Sequence, residues 1–129
     1  MALSSPTPLG EGESIGFLRR FHVEAMRGGM NRLLLRSWAT SGEGRVEILF
    51  QYVRRLDIPM DFDGLSIQDA TDEDGSQSPW ADVLVEFPEC RVYRLVSGGR
   101  LVGRVVASAC ASGEDDEAAS APSMFFMMD

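Results

Sequence analysis

From Arg45 to Tyr52 apolar side chains recur at every second position. Val46, Ile48, Phe50 and Tyr52 fall on one face and Glu47, Leu49 and Gln51 on the other, a period that a strand satisfies and a helix does not. A second strong pattern is CRVYRLV (90–96), then Ser97-Gly98-Gly99-Arg100, then LVGRVVASAC (101–110). Two glycines supply the positive φ that a primed two-residue turn demands, so these stretches predict a hairpin. With Ser97 facing Arg100, the register sets Val96 against Leu101, Leu95 against Val102, Arg94 against Gly103, Tyr93 against Arg104 and Val92 against Val105. Both faces are then largely apolar, which places this hairpin centrally. Glycine pairing recurs at Gly28-Gly29, between FHVEAM (21–26) and MNRLLLRSW (30–38), and predicts another hairpin. A helix capped by Ser14, with Phe17, Leu18, Phe21 and Ala25 as its stripe, competes for the first arm. The turn signal favours the hairpin.

Asp57 to Pro79 reads as an acidic connection containing Pro59, an Asp63-Gly64 turn, a short strand over 64–67 and the loop ATDEDGSQSP. ADVLVEF (81–87) alternates again, with Val83, Val85 and Phe87 on one face, and predicts a strand. MFFMM (124–128) is apolar and requires a docking place, either as an edge strand or in a partner's groove. The expected organisation is a flexible segment over 1–14, an antiparallel β domain over 15–110, and an acidic linker with a short apolar segment over 111–129. The fold class is therefore all-β, with at most one short N-terminal helix. Six to eight short antiparallel strands would form a meander, a sandwich or a partly open barrel.

Composition narrows the function. The chain has 129 residues, 44% hydrophobic and 25% charged, which fits one compact soluble domain. Its 12 basic residues are all arginine, against 20 acids, for a net charge of −8. Without lysine there is no phosphate-loop lysine and no Schiff-base lysine, so Walker-type nucleotide sites and pyridoxal chemistry are excluded. Arginine used to the exclusion of lysine, with Asn31 as sole asparagine, points to a GC-rich bacterial genome. The charge is uneven, net +3 over residues 1–56 and net −11 over residues 57–129. An acidic chain is repelled by phosphate backbones and anionic lipid, so neither nucleic acid nor a membrane is an expected partner. No positive region followed by an apolar stretch opens the chain, and no apolar run reaches bilayer length, so the cytoplasm is the expected compartment.

Catalytic and cofactor signals are weak. An EF-hand reading with Gly75 at the sixth position puts Ala70 first and Ala81 twelfth, so two key calcium ligands are missing. His22 is the only histidine, no G-x-S-x-G elbow exists, and Cys90 and Cys110 lack short ligand spacing. The cysteines read as buried small apolar residues, and no metal, no cofactor and no catalytic residue is expected. Carboxylate pairs are too numerous to single one out.

The remaining candidate is a contact surface. Trp80 opens a segment directly after Asp72, Glu73 and Asp74, and an exposed tryptophan ringed by acids would suit a basic protein partner. In size and charge, across the whole chain and by no motif, the sequence resembles proteins that bind and neutralise another protein, such as an immunity protein against a secreted toxin. That resemblance implies an antitoxin-type inhibitor of a basic bacterial effector. The alternative is a small-molecule or carbohydrate-binding β domain without catalysis, lined by Tyr52, Tyr93 or Trp38 with Arg94 or Arg104 fixing an anion. Edge strands left open would pair copies into a homo-oligomer.

Overall fold

The computed structural model describes residues 6–28, 31–37, 44–117, 121–123 and 125. The strands are β1 (Thr7–Pro8), β2 (Ser14–Arg27), β3 (Arg32–Ser37), β4 (Arg45–Gln51), β5 (Arg55–Asp57), β6 (Asp61–Asp69), β7 (Arg91–Ser97), β8 (Arg100–Ala107) and β9 (Ala109–Asp115). Two short helices, α1 (Thr71–Asp74) and α2 (Trp80–Glu86), lie between β6 and β7. All ladders are antiparallel, and the strands make one sheet in the order β1-β9-β4-β3-β2-β6-β7-β8-β5.

Among the described residues no ladder joins the two end strands, yet the sheet curls round on itself. Only Ser108 separates β8 from β9, and β4 leads into β5 through Tyr52 to Arg54. Gln51 faces Ala109 where one ladder ends and Arg55 faces Val106 where the next begins. Across that bend the Arg54 amide donates to the Val106 carbonyl and the Ser108 amide to the Gln51 carbonyl. The run from Arg100 to Asp115 therefore offers one edge to β7 and the other to β4 and β5. Its inside is filled by Phe21, Phe50, Phe62, Tyr93, Ile48 and Leu95 among others, with Phe50 and Tyr93 meeting edge-on at 5.5 Å between centroids.

The alternation in β4 is as predicted: Val46, Ile48 and Phe50 point into this core. The hairpin about Gly28 is present, with Arg27 facing Arg32, so the segment from Ser14 is strand rather than helix. Several expectations are corrected. The strands number nine rather than six to eight among the described residues, and β2 alone runs for 14 residues. Ordered pairing exceeds 15–110 at both ends, with Thr7–Pro8 and Ala111 to Asp115 in ladders. ADVLVEF is helical. Its alternating valines mask a second period, in which Trp80, Val83, Leu84 and Phe87 recur at helical spacing and pack as one stripe against Cys90, Val92 and Val106.

The β7–β8 hairpin keeps the predicted pairs Ser97 to Arg100 and Val96 to Leu101, then slips by one, so that Leu95 faces Gly103 and Tyr93 faces Val105. Val102 is the extra residue of a bulge. The link after β5 crosses directly over Gly103, where a Cβ would overlap the Asp57 carbonyl oxygen and lie 3.0 Å from the Ile58 Cα. Both obstacles are backbone, so Gly103→Ala should cost about 2 kcal/mol in a urea titration. Gly28→Ala meets nothing within 4 Å and should leave the midpoint nearly unchanged.

Candidate functional site

The site suggested by the sequence falls on the helical insertion between β6 and β7. Its entry is fixed by Asp69, the last residue of β6. One Asp69 oxygen accepts the Thr71 amide (3.1 Å) and hydroxyl (2.6 Å), and the other accepts Arg91 Nε at 2.8 Å. The Thr71 hydroxyl in turn accepts the Val92 amide at 2.9 Å, which ties the insertion to β7. Burial pushes the Asp69 carboxyl up, but the hydrogen bonds from Thr71 and Arg91 outweigh it and hold the group below its ordinary range.

Asp74, at the end of α1, is buried. It takes Arg94 in a bidentate pair (2.7 and 3.1 Å) and Arg104 Nε at 2.9 Å. Arg94 and Arg104 sit directly opposite one another in β7 and β8, an arrangement that repels unless an anion lies between them. Asp74 supplies that anion, and the Arg94 hydrogen bonds above all, ahead of the opposing effect of burial and the contribution of Arg104, hold its carboxyl below the usual carboxylate range. Trp80 is also inside, 7% exposed, with the guanidinium carbons of Arg104 and Arg55 at 5.3 and 5.4 Å from its ring.

Of the four residues named from the sequence, Asp74 and Trp80 are therefore brought together as an internal lock and only Asp72 and Glu73 face solvent. The reading of Trp80 as an exposed anchor and of Asp74 as a contact residue is corrected. A helix starting at residue 80 turns the indole onto Val92 and Val106, and two arginines from distant strands claim the carboxylate. The ligand-site reading also changes. Tyr93 is buried in the core, where burial pushes its phenol up, and Arg94 and Arg104 already hold Asp74. Tyr52 stands exposed on a φ of 54° at the turn out of β4, and Trp38 lies outside the described residues.

What the insertion does present is an acidic solvent face. Asp72, Glu73, Asp82, Glu86 and Glu89 are exposed and form no ion pair among the described residues, and no basic residue occurs between positions 70 and 90. Val85, on α2, is 84% exposed. Sequence reasoning missed this helix, and the signal was the Trp80-Val83-Leu84-Phe87 spacing. Beside α2 runs a groove of about 210 Å³ lined by Arg54, Arg55, Asp82, Val83, Glu86 and Phe87. The Arg54 guanidinium lies 4.3 Å over the Phe87 ring, and neither Arg54 nor Arg55 ion-pairs with Asp82 or Glu86 across it.

Other chemistry-bearing groups are separate. His22 Nε2 lies 2.8 Å from Glu24 Oε1. Cys90 and Cys110 are buried free thiols, and burial pushes both up from their ordinary value. Among the described residues no group of three or more His, Cys, Asp or Glu is disposed to hold a metal ion, and no helix is long and apolar enough to cross a membrane. Comparison with protein-family models, with curated proteins and with solved structures returns no match for this chain.

The Asp74 lock has a measurable signature. Asp74→Ala strands two opposed arginines and should cost about 3 kcal/mol. Because the Asp69 and Asp74 carboxyls titrate lower in the folded than in the unfolded chain, their stabilisation is complete above the unfolded value, about pH 4, and is lost as pH falls through the folded values. Urea midpoints measured from pH 7 to pH 2.5 should fall steeply below pH 4 for the wild type and less steeply for Asp74→Asn.

Proposed function

We propose that this chain is a non-catalytic, acidic protein-binding module whose contact surface is the α1–α2 insertion and whose partner is a basic protein. The observation that carries this reading is the contrast within the insertion. Its buried acid is doubly neutralised, whereas its five exposed acids form no ion pair among the described residues and share the insertion with an exposed valine. Carboxylates held on a rigid support, with no ordering left to do at encounter, raise the association rate of a positively charged partner and set its orientation. Val85, exposed on the same insertion, adds a small apolar contact. A module that masks the basic face of a bacterial effector, in the manner of an immunity protein, fits these properties.

The test is retention of proteins from the native host's lysate and secreted fraction on the immobilised chain, eluted with salt. Wild type is compared with Asp82→Arg/Glu86→Arg and, as a control away from the insertion, Asp57→Arg/Asp61→Arg. All four positions are exposed, so folding is not at stake. A basic protein bound stoichiometrically should elute from the insertion variant at lower salt, with affinity reduced at least about tenfold, and from the control as from wild type. Equal retention by both variants, or retention of nothing at low salt, overturns the proposal.

A second reading rests on the groove beside α2, where Arg54 and Arg55 face Asp82 and Glu86 unpaired. It would take a small zwitterion. Thermal shift with free amino acids that vanishes in Arg54→Ala would favour it over the protein partner.

A further inference from the structure

The outer face of β3, β4 and β9, on different strands from those that carry the insertion, is organised in three rungs. Along β4 the outward residues are Arg45, Glu47 and Leu49, because Val46, Ile48 and Phe50 take the core. The ladders set Asp115 beside Arg45, Arg36 and Gly113 on either side of Glu47, and Leu34 and Ala111 on either side of Leu49, with Ala25 beyond Leu34. The rungs thus run from guanidinium, to carboxylate, to a shallow apolar patch edged by alanines.

Residues 121–123 and 125 lie over these rungs and meet each in turn. Arg45 donates to the carbonyls of Ala121 (2.7 Å) and Pro122 (3.1 Å), the Ser123 hydroxyl donates to Glu47 Oε1 (3.1 Å), and Phe125 packs on Leu34 and Leu49. Residues 121, 123 and 125 thus answer positions 45, 47 and 49 in order.

The cradle does not depend on its occupant. Asp115 holds Arg45 through two hydrogen bonds (3.1 and 2.7 Å), and Arg36 holds Glu47 at 3.0 Å from both Nε and a terminal nitrogen. Both charges therefore stay oriented if the segment leaves, and water entering the face would solvate Arg45 and Glu47, which are fully buried beneath it. Among the described residues, what is lost is three hydrogen bonds and the burial of Phe125.

We propose that this face is a preformed peptide-recognition site whose occupant is the 121–125 segment of this chain, bound in cis here and exchangeable for the same segment of a second copy. Its reading frame is two backbone carbonyls, then a hydroxyl, then a large apolar ring two residues further on. The site is independent of the reading given for the insertion.

A fluorescein-labelled peptide of residues 117–126 tests it by anisotropy against the full chain carrying Phe125→Ala, which weakens the cis occupant, and against Phe125→Asp, which displaces it. Saturable binding should be at least about tenfold tighter to either variant than to wild type. The same peptide with Phe125→Ala should bind at least tenfold more weakly, and with Ser123→Ala several-fold more weakly. Should Phe125→Asp fail to fold, as read by circular dichroism, Phe125→Ala decides alone, since it alters one residue of an outer covering. No saturable binding to a folded variant, or binding indifferent to both peptide substitutions, overturns the proposal.

Discussion

Because the run from Arg100 to Asp115 bends at Ser108 and offers one edge to β7 and the other to β4 and β5, the sheet must curl, and a curled sheet has an inside that admits only side chains able to give up water. Four aromatic rings and a set of branched aliphatics fill that inside. The consequence falls on the other parity of each strand. Arg36, Arg45, Glu47 and Arg94 face outward, and two short stretches of chain lie across them: the α1–α2 insertion over β7 and β8, and residues 121–125 over β3 and β4. Strands β3 and β4 are thereby buried on both faces, which is why a run such as RLLLRS carries leucine at three successive positions.

Arginine used to the exclusion of lysine suits this arrangement. A charge under a covering must have its donors satisfied in fixed directions, and the planar fork of a guanidinium does this where an ammonium would not. Arg45 meets Asp115 through two nitrogens and still reaches two carbonyls; Arg94 meets Asp74 through two nitrogens and leaves room for Arg104. Such pairs add little net stability against apolar replacements of equal volume, since desolvation offsets most of the attraction, but they leave one arrangement of the coverings far better satisfied than any other.

The strands were legible wherever polar and apolar positions alternate or a glycine pair marks the turn between them. The alternation over 45–52 and the glycine pairs at 28 and 98 located two hairpins and the best strand, because pleat and turn chemistry are local. The helix α2 was hidden because the stretch from Trp80 to Phe87 satisfies periods of 2 and 3.6 at once: Val83, Val85 and Phe87 read as one face of a strand, Trp80, Val83, Leu84 and Phe87 as one face of a helix, and only packing on Val92 and Val106 decides. The stretch from Ala111 to Asp115, acidic and small, read as linker, and its place in the sheet depends on Arg45, seventy residues upstream. For the same reason the candidate site was half legible. That Asp72, Asp74 and Trp80 cluster was visible, but which of them faces water was set by Arg94 and Arg104.

The two coverings differ in how they are held, and that difference bears on the roles proposed for them. The insertion enters from β6 and leaves into β7, and it is fixed by the Asp69–Thr71–Val92 link, by Asp74 across β7 and β8, and by the stripe of α2. Moving it would expose two opposed cations and an apolar stripe together, so its outer carboxylates ride on a platform with one position. Among the described residues, the covering by 121–123 and 125 meets the sheet through three hydrogen bonds and one ring, against charges that keep their own partners when it is gone. A surface that cannot move is suited to steering a partner by its field, whereas a covering that leaves a preformed cradle behind is suited to being replaced.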